Sequence, residues 1–222
     1  MRGQGPRVRC KLAISLDGRC AAADGGARWI TGEAARADVQ RLRAECCAIL
    51  TGSGTVLADD PRLDVRIARD ARQPLRIVLD RRLRCPPAAR LLAPPGRVVM
   101  LTGPGRADTP AAAALTRAGA EVVELESDAA DFPGAALRWL AERHEVNEVL
   151  VETGPTLAGA LVRTGLVHEL IVYQAPLLLG SRGLPMFDLP DQGDMGAARR
   201  IVLTDTRRVG RDFRHIYTFE AH

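Results

Sequence analysis

Short apolar runs alternate with longer mixed segments along the chain, and the spacing of that alternation predicts its elements. Val8 to Leu16 is apolar at most positions and reads as a strand. Thr31 followed by Glu33 to Cys46 reads as a capped helix with Leu42 and the alanines turned inward, and a strand at Ala48 to Leu50 follows directly. Further apolar runs at Leu75 to Leu79, Val98 to Leu101, Glu121 to Leu125, Val149 to Val151 and Leu170 to Ala175 predict strands. Helical spacing near Ala111 to Ala118, Gly134 to Arg143 and Thr156 to Val162 places helices between several of them. Strands joined through helices form crossovers, so the pattern predicts an α/β fold with a largely parallel sheet. The tail breaks it: Arg200 to Asp205 and Asp212 to Phe219 flank a Gly210 turn with alternating apolar residues, which predicts an antiparallel hairpin on the sheet edge. The Pro/Gly/Ala-rich stretches Cys85 to Gly96 and Gly103 to Ala114 read as surface loops inside one domain, residues 1–222, with 1–7 as a linker or flexible start.

Composition narrows the function classes. At 222 residues, 46% hydrophobic and 26% charged, the chain has an ordinary globular balance and can bury a sizeable core. No apolar run approaches the ~20 residues of a membrane span, and Met1 to Pro6 carries no hydrophobic signal segment, so the expected setting is cytoplasmic without membrane contact. Five cysteines (Cys10, Cys20, Cys46, Cys47, Cys85) with no C-x-x-C spacing predict reduced thiols, with neither zinc nor disulfides. The net charge of +4 raises the question of nucleic acid, but the arginines are scattered and aromatics make up only 4%, so no stacking platform accompanies a basic stripe. A phosphorylated small molecule is the more economical anion.

Lysine occurs once, at Lys11, and every other one of the 31 Lys and Arg residues is arginine. A bias this strong replaces lysine wherever arginine serves, and an ammonium differs in being compact and able to give up its proton. On a strand, Lys11 shares a face with the small residues Ala13 and Ser15, while Cys10, Leu12 and Ile14 face the other way. From Val149 to Ala160 a hydrophobic strand runs through Glu152 and Gly154 into a helix whose start has free N–H groups suited to phosphate. Pro155 lacks an N–H, so the available amides begin at Thr156 and Leu157. Gly154 and Gly159 permit close approach of another backbone or of a cofactor, and such junctions also occur as plain turns. Thr51 to Pro61 contains a G-x-G without the third glycine of a dinucleotide fingerprint, a weak match. The strand end Asp80-Arg81-Arg82 combines an acid suited to NAD with arginines suited to the NADP 2′-phosphate. Arg43 and Arg66 are anion candidates whose plain alternative is a solvated face.

Five stretches together are specific: Lys11-Leu12-Ala13-Ile14-Ser15-Leu16-Asp17-Gly18-Arg19, Trp29-Ile30-Thr31-Gly32, Leu42-Arg43-Ala44, Thr55 to Leu63, and Val151 to Leu157. In order and spacing, over nearly the whole chain, they resemble the reductase domain of the bacterial bifunctional riboflavin-biosynthesis deaminase/reductase. The resemblance implies a dihydrofolate-reductase-like fold, a mostly parallel central sheet flanked by helices with a C-terminal hairpin. It also implies reduction of 5-amino-6-(5-phosphoribosylamino)uracil to its ribitylamino product with NADPH, and a homodimer. Residue by residue it implies cofactor contacts at Ala13, Trp29, Thr55, Asp59, Arg81 and the run Gly154, Pro155, Thr156, Leu157, Ala158, Gly159 and Ala160. Substrate contacts are implied at Arg43, Leu63, Arg66 and Glu152, the arginines holding the 5′-phosphate. Lys11 is then the proton donor or electrostatic stabiliser, and Glu152 orients the substrate or Lys11. Two positions depart from the pattern: Ala27 replaces a substrate-contacting serine and Arg81 a serine near the cofactor. The zinc deaminase motifs are missing, so no deamination is expected. Rival readings are a reductase of the undeaminated diaminopyrimidinone, dihydrofolate reduction on a shared fold, and a non-catalytic NADPH-binding module.

Overall fold

β1 (Arg7–Ser15) alternates in burial up to its last residue: Val8, Cys10, Leu12 and Ile14 are buried on one face, while Arg9, Lys11 and Ala13 are half-buried on the other and Ser15 at its end is buried. The computed structural model describes residues 5–26, 29–144, 146–191, 193–194 and 198–219. After β1 come β2 (Arg19–Ala21), α1 (Glu33–Glu45), β3 (Ala48–Gly52), α2 (Ser53–Asp59), β4 (Leu75–Leu79), β5 (Val98–Thr102), α3 (Pro110–Arg117), β6 (Glu121–Glu124) and α4 (Phe132–His144). Then follow β7 (Glu148–Glu152), α5 (Pro155–Arg163), β8 (Glu169–Ala175), β9 (Leu184–Pro185), β10 (Ile201–Val209) and β11 (Asp212–Phe219). The chain forms two compact units, one of residues 1–7 and 40–153, the other of residues 8–39 and 154–222.

The first unit carries the parallel ladder β7-β3-β4-β5-β6, with Leu50 opposite Val151 and Ile77, and Met100 opposite Val78 and Val122. Its inner strands are largely apolar on both faces, as suits parallel strands under helices, with Thr51 and Arg76 the buried polar residues on β3 and β4. One expected surface loop proves to be core. Within Cys85 to Gly96, Cys85, Ala89 and Leu91 are buried and join Val56, Val78, Met100 and Leu115 in one cluster. What permits this is Arg76 on β4, fully buried, whose guanidinium donates to the carbonyls of Leu91, Pro94, Pro95 and Gly96 at 2.8–2.9 Å. Carbonyls that a proline-rich turn leaves without backbone donors are satisfied from the sheet side, and the apolar residues can be buried. The stretch Gly103 to Ala114 likewise contains the start of α3, capped by Thr109, whose hydroxyl accepts from the Ala112 N–H.

The second unit carries the order β10-β11-β8-β1, with β1 and β8 parallel and the C-terminal hairpin antiparallel on its edge, as expected. α1 corrects two sequence expectations. It starts at Glu33 with the Arg36 N–H closing its first turn on the Gly32 carbonyl, so Thr31 is not its cap; the Gly32 N–H is held instead by the Asp212 carboxylate at 2.7 Å. Of its alanines, Ala35 is buried with Val39 and Leu42, whereas Ala34 and Ala37 face outward. No helix of the described residues is long and apolar enough to cross a membrane.

Candidate functional site

In the first unit β7 ends on Glu152 and α1 ends near Arg43, and these two side chains meet. Arg43 Nε donates to Glu152 Oε1 at 2.5 Å and Nη2 to Oε2 at 3.1 Å, while Nη1 donates to the Asp64 carbonyl at 3.1 Å. Both side chains are about nine-tenths buried. Burial alone would lower the guanidinium's pKa, but the Glu152 charge and hydrogen bonds, with Asp64 behind them, hold it above its ordinary range. Leu63, at φ 51° and 2% exposed, turns the chain in the left-handed region and is itself buried. The next residue, Asp64, is buried and accepts from Arg62 Nε at 3.0 Å and from Arg66 Nη1. Burial pushes its carboxyl up, and the two arginines more than reverse this, so its pKa lies below the usual carboxylate range. The two anion candidates thus differ. Arg43 is buried on Glu152, whereas Arg66, also paired with a carboxylate at Asp64, is half exposed, its main-chain N–H donating to Gln40 Oε1 at 2.8 Å.

The G-x-G stretch is the short helix α2, with Gly52 at φ −102°, an ordinary extended conformation. No dinucleotide-type glycine turn forms there. Thr55 on α2 lies 3.4 Å from the Thr153 hydroxyl, and Asp59 is the last helical residue. At the end of β4, Asp80 is fully buried and accepts from the Cys85 N–H at 2.7 Å, so the acid serves the turn, while Arg81 and Arg82 are exposed.

In the second unit Lys11 and Ala13 sit opposite Ile171 and Tyr173 on β8, and the neighbouring pair Arg9 and Glu169 bonds at 2.8 Å across the strands. Behind Lys11, burial pushes the Cys10 thiol up to about 12, with the Lys11 charge offsetting part of the rise. That thiol is inert rather than reactive. Trp29 is exposed, with the Arg36 guanidinium 4.6 Å above its ring; Ala27 lies outside the described residues. At the head of α5, Gly154 is the N-terminal boundary residue and Pro155 opens the helix. Thr156 is exposed and Leu157 partly so, whereas Ala158 and Gly159 are buried. The close approach at Gly159 is to another backbone: a Cβ there would stand 2.1 Å from the Asp188 carbonyl oxygen.

Sequence reasoning did not single out two arrangements. Asp38 on α1 accepts from Tyr173 Oη at 2.7 Å and from Arg214 Nη1 at 2.8 Å, tying the helix to β8 and β11. Asp17 accepts from Ser15, Leu179 and Gly180. Partners 135 to 176 residues apart leave no local pattern to read.

The family model of the RibD C-terminal domain matches residues 6–215. The riboflavin biosynthesis protein RibD of Escherichia coli K12 is 38% identical over 240 aligned residues, covering 96% of this chain and 59% of the relative. That of Mycobacterium tuberculosis H37Rv is 39% identical over 212, covering 93% and 52%. Among solved structures, Acinetobacter baumannii RibD (form 1) is 37% identical with a TM-score of 0.85, covering 98% of this chain and 59% of that one. The Saccharomyces riboflavin biosynthesis reductase Rib7 shares the fold at 19% identity and TM-score 0.74, over 97% and 90%. The chain spans a little over half the length of the curated relatives it matches.

Proposed function

The chain belongs to the RibD C-terminal domain family, and from that membership we propose that it reduces 5-amino-6-(5-phosphoribosylamino)uracil to the ribitylamino product with NADPH, in the cytoplasm. Its fold is the dihydrofolate-reductase-like α/β class. The observation that carries the reading is the position of Lys11. It stands at the middle of β1, on the half-buried face that it shares with Ala13, with the opposite face fully packed.

The residues present fit a phosphorylated dinucleotide. Thr156 and Leu157 offer amides at a helix start, and exposed Arg81 and Arg82 suit a 2′-phosphate, while burial of Asp80 removes the acid that a ribose 2′-hydroxyl would need. Ala13, Trp29, Thr55 and Asp59 complete the proposed cofactor contacts. When bound, NADPH supplies the hydride that reduces C1′ of the ring-opened sugar. The chain's part is to hold the reactants and manage a proton. Lys11 donates that proton or steadies the charge that develops beside C1′. Arg66 holds the 5′-phosphate with the part of its guanidinium that reaches solvent, the rest being paired with Asp64 and its main chain fixed on Gln40. Glu152 addresses the substrate from a position set by Arg43, and Leu63, buried here, completes the proposed substrate contacts.

A second copy of the chain is the proposed partner, docked along β10. This outer strand of the second unit leaves Ile201, Val202 and Leu203 at 41%, 44% and 53% exposure. Antiparallel pairing of this edge with its copy would cover these three residues. Sedimentation of Val202→Asp tests it: a shift from dimer to monomer is expected, and an unchanged dimer or a monomeric parent removes the β10 contact.

The catalytic reading is tested by NADPH oxidation with the phosphoribosylaminouracil and, in parallel, its undeaminated diaminopyrimidinone counterpart. Turnover of the uracil is expected. Preference for the counterpart reassigns the substrate, and NADPH binding without turnover of either makes the chain a binding module.

A further inference from the structure

Asp17 stands two residues past β1, and the proposed reaction leaves it without a role. Its carboxylate accepts from Ser15 Oγ at 2.5 Å, from the Leu179 N–H at 3.1 Å and from the Gly180 N–H at 2.7 Å. The last two donors belong to the segment that leaves β8. Ser15 Oγ in turn accepts from the Arg19 N–H at 2.9 Å, and the Leu16 N–H donates to the Leu177 carbonyl at 2.9 Å, so the loops after β1 and β8 are knotted at their strand ends. From there the segment runs through a Met186 N–H bond to the Gly18 carbonyl and the β2–β9 pairing of Arg19 with Pro185. It ends on α5, where the Asp188 N–H donates to the Pro155 carbonyl at 3.1 Å and the Asp188 carbonyl fills the notch over Gly159. Residues 176–190 are therefore a strap, tied at one end by a carboxylate and seated at the other on the first turns of α5.

We propose that Asp17 is a positioning residue for the dinucleotide: it fixes the strap, and the strap holds the start of α5 so that the Thr156 and Leu157 amides present themselves to a phosphate. Charge-assisted bonds to main-chain N–H groups are stronger than neutral ones, and a preformed anion cradle loses less freedom when it binds. Asp188 meets α5 at the residue that opens the helix and at the turn behind it, so slack in the strap reaches those amides directly. The inference rests on the proposed cofactor contact at α5.

The test compares the parent chain with Asp17→Ala and the near-isosteric Asp17→Asn. Its readouts are the equilibrium Kd for NADPH, the KM for each reactant, Tm, and hydrogen exchange across residues 176–190. Losing charge-assisted bonds predicts an NADPH Kd raised about tenfold in Asp17→Ala and less in Asp17→Asn, faster exchange in the strap, and a nearly unchanged KM for the pyrimidine. If Asp17→Ala does not fold, Asp17→Asn carries the comparison. Unchanged NADPH affinity in the variants overturns the proposal, as does a pyrimidine KM that rises in step with that for NADPH, since general loosening would move both. A parent chain that does not bind NADPH ends the cofactor reading and this role together, whereas a parent that binds it no better than Asp17→Ala ends this role alone.

Discussion

Arg43 and Glu152 form a two-point ion pair, Nε to Oε1 at 2.5 Å and Nη2 to Oε2 at 3.1 Å, with both side chains largely out of water. Removing one partner of such a pair leaves the other charge buried and uncompensated, at a cost of about 3–5 kcal/mol, whereas replacing both with apolar residues is often near neutral. Arg43→Met and Glu152→Met are each expected to lower the unfolding free energy by about that amount, and the double variant combining them to cost less than the two single losses added. Urea denaturation of the four proteins gives the cycle. Additive losses would show that the two residues act independently.

Acid should loosen the protein through Asp64 and Asp17. Asp64 has a depressed carboxyl pKa because Arg62 and Arg66 outweigh its burial, and hydrogen bonds from Ser15, Leu179 and Gly180 bring Asp17 to about 2. A carboxyl with a lower pKa in the folded chain binds its proton more readily when unfolded, so its stabilisation is complete above the unfolded value of about 4 and declines as pH falls through the folded one. The urea midpoint is expected to be level near neutrality and to drop from about pH 4 downward. Asp64→Asn should start lower and drop less. An acid limb equally steep in that variant would remove Asp64 as a source of the effect.

Lys11 and Arg66 should separate in kinetics. Positioned proton transfer contributes roughly 10²–10⁴ in rate, so Lys11→Ala is expected to lower kcat by about that range with the NADPH Kd little changed. Lys11→Arg should not restore it, because a guanidinium cannot release the proton. Arg66→Ala should raise KM for the phosphorylated substrate with a smaller effect on kcat. Steady-state kinetics with equilibrium NADPH binding decide it: comparable loss of cofactor affinity in Lys11→Ala makes Lys11 a binding residue, and an unchanged KM in Arg66→Ala takes Arg66 out of the phosphate site.

Elements built from local pattern were legible in the sequence. The apolar runs at Ala48 to Leu50 and Val149 to Val151 are strands because parallel strands buried on both faces need unbroken apolar stretches. The hairpin around Gly210 was visible in its alternation and in a glycine that adopts φ 65°. α2 was not, since seven residues with a glycine inside carry too few turns to show a helical period. Nor was the burial of Cys85, Ala89 and Leu91, which depends on Arg76 collecting carbonyls 15 to 20 residues away. For the candidate site, residue types and their order were readable, but commitments were not. Arg43 and Arg66 look alike in sequence; Arg43 is buried on Glu152, 109 residues away, whereas Arg66 pairs with the nearby Asp64 and stays half exposed. At the end of β4 the acid and the arginines left NAD and NADP both readable, and the sequence did not show Asp80 held inside the Cys85 turn.

Gly159 gives a test whose sign is diagnostic. Within a helix, alanine is favoured over glycine by about 1 kcal/mol, so on α5 alone Gly159→Ala should stabilise the protein. With the strap seated, the added Cβ would stand 2.1 Å from the Asp188 carbonyl oxygen and 2.8 Å from its carbon. These are main-chain atoms, held in place by the Asp188 N–H bond to Pro155, and cannot move aside as a side-chain tip would. Overpacking of this kind costs about 1–3 kcal/mol, which outweighs the helical gain. Gly159→Ala is therefore expected to lower Tm and to speed hydrogen exchange around Asp188, because the strap must lift to admit the methyl group. A raised Tm with unchanged exchange would mean that the strap does not rest on α5 in solution, and the close packing at Gly159 would then have no part in holding the helix start.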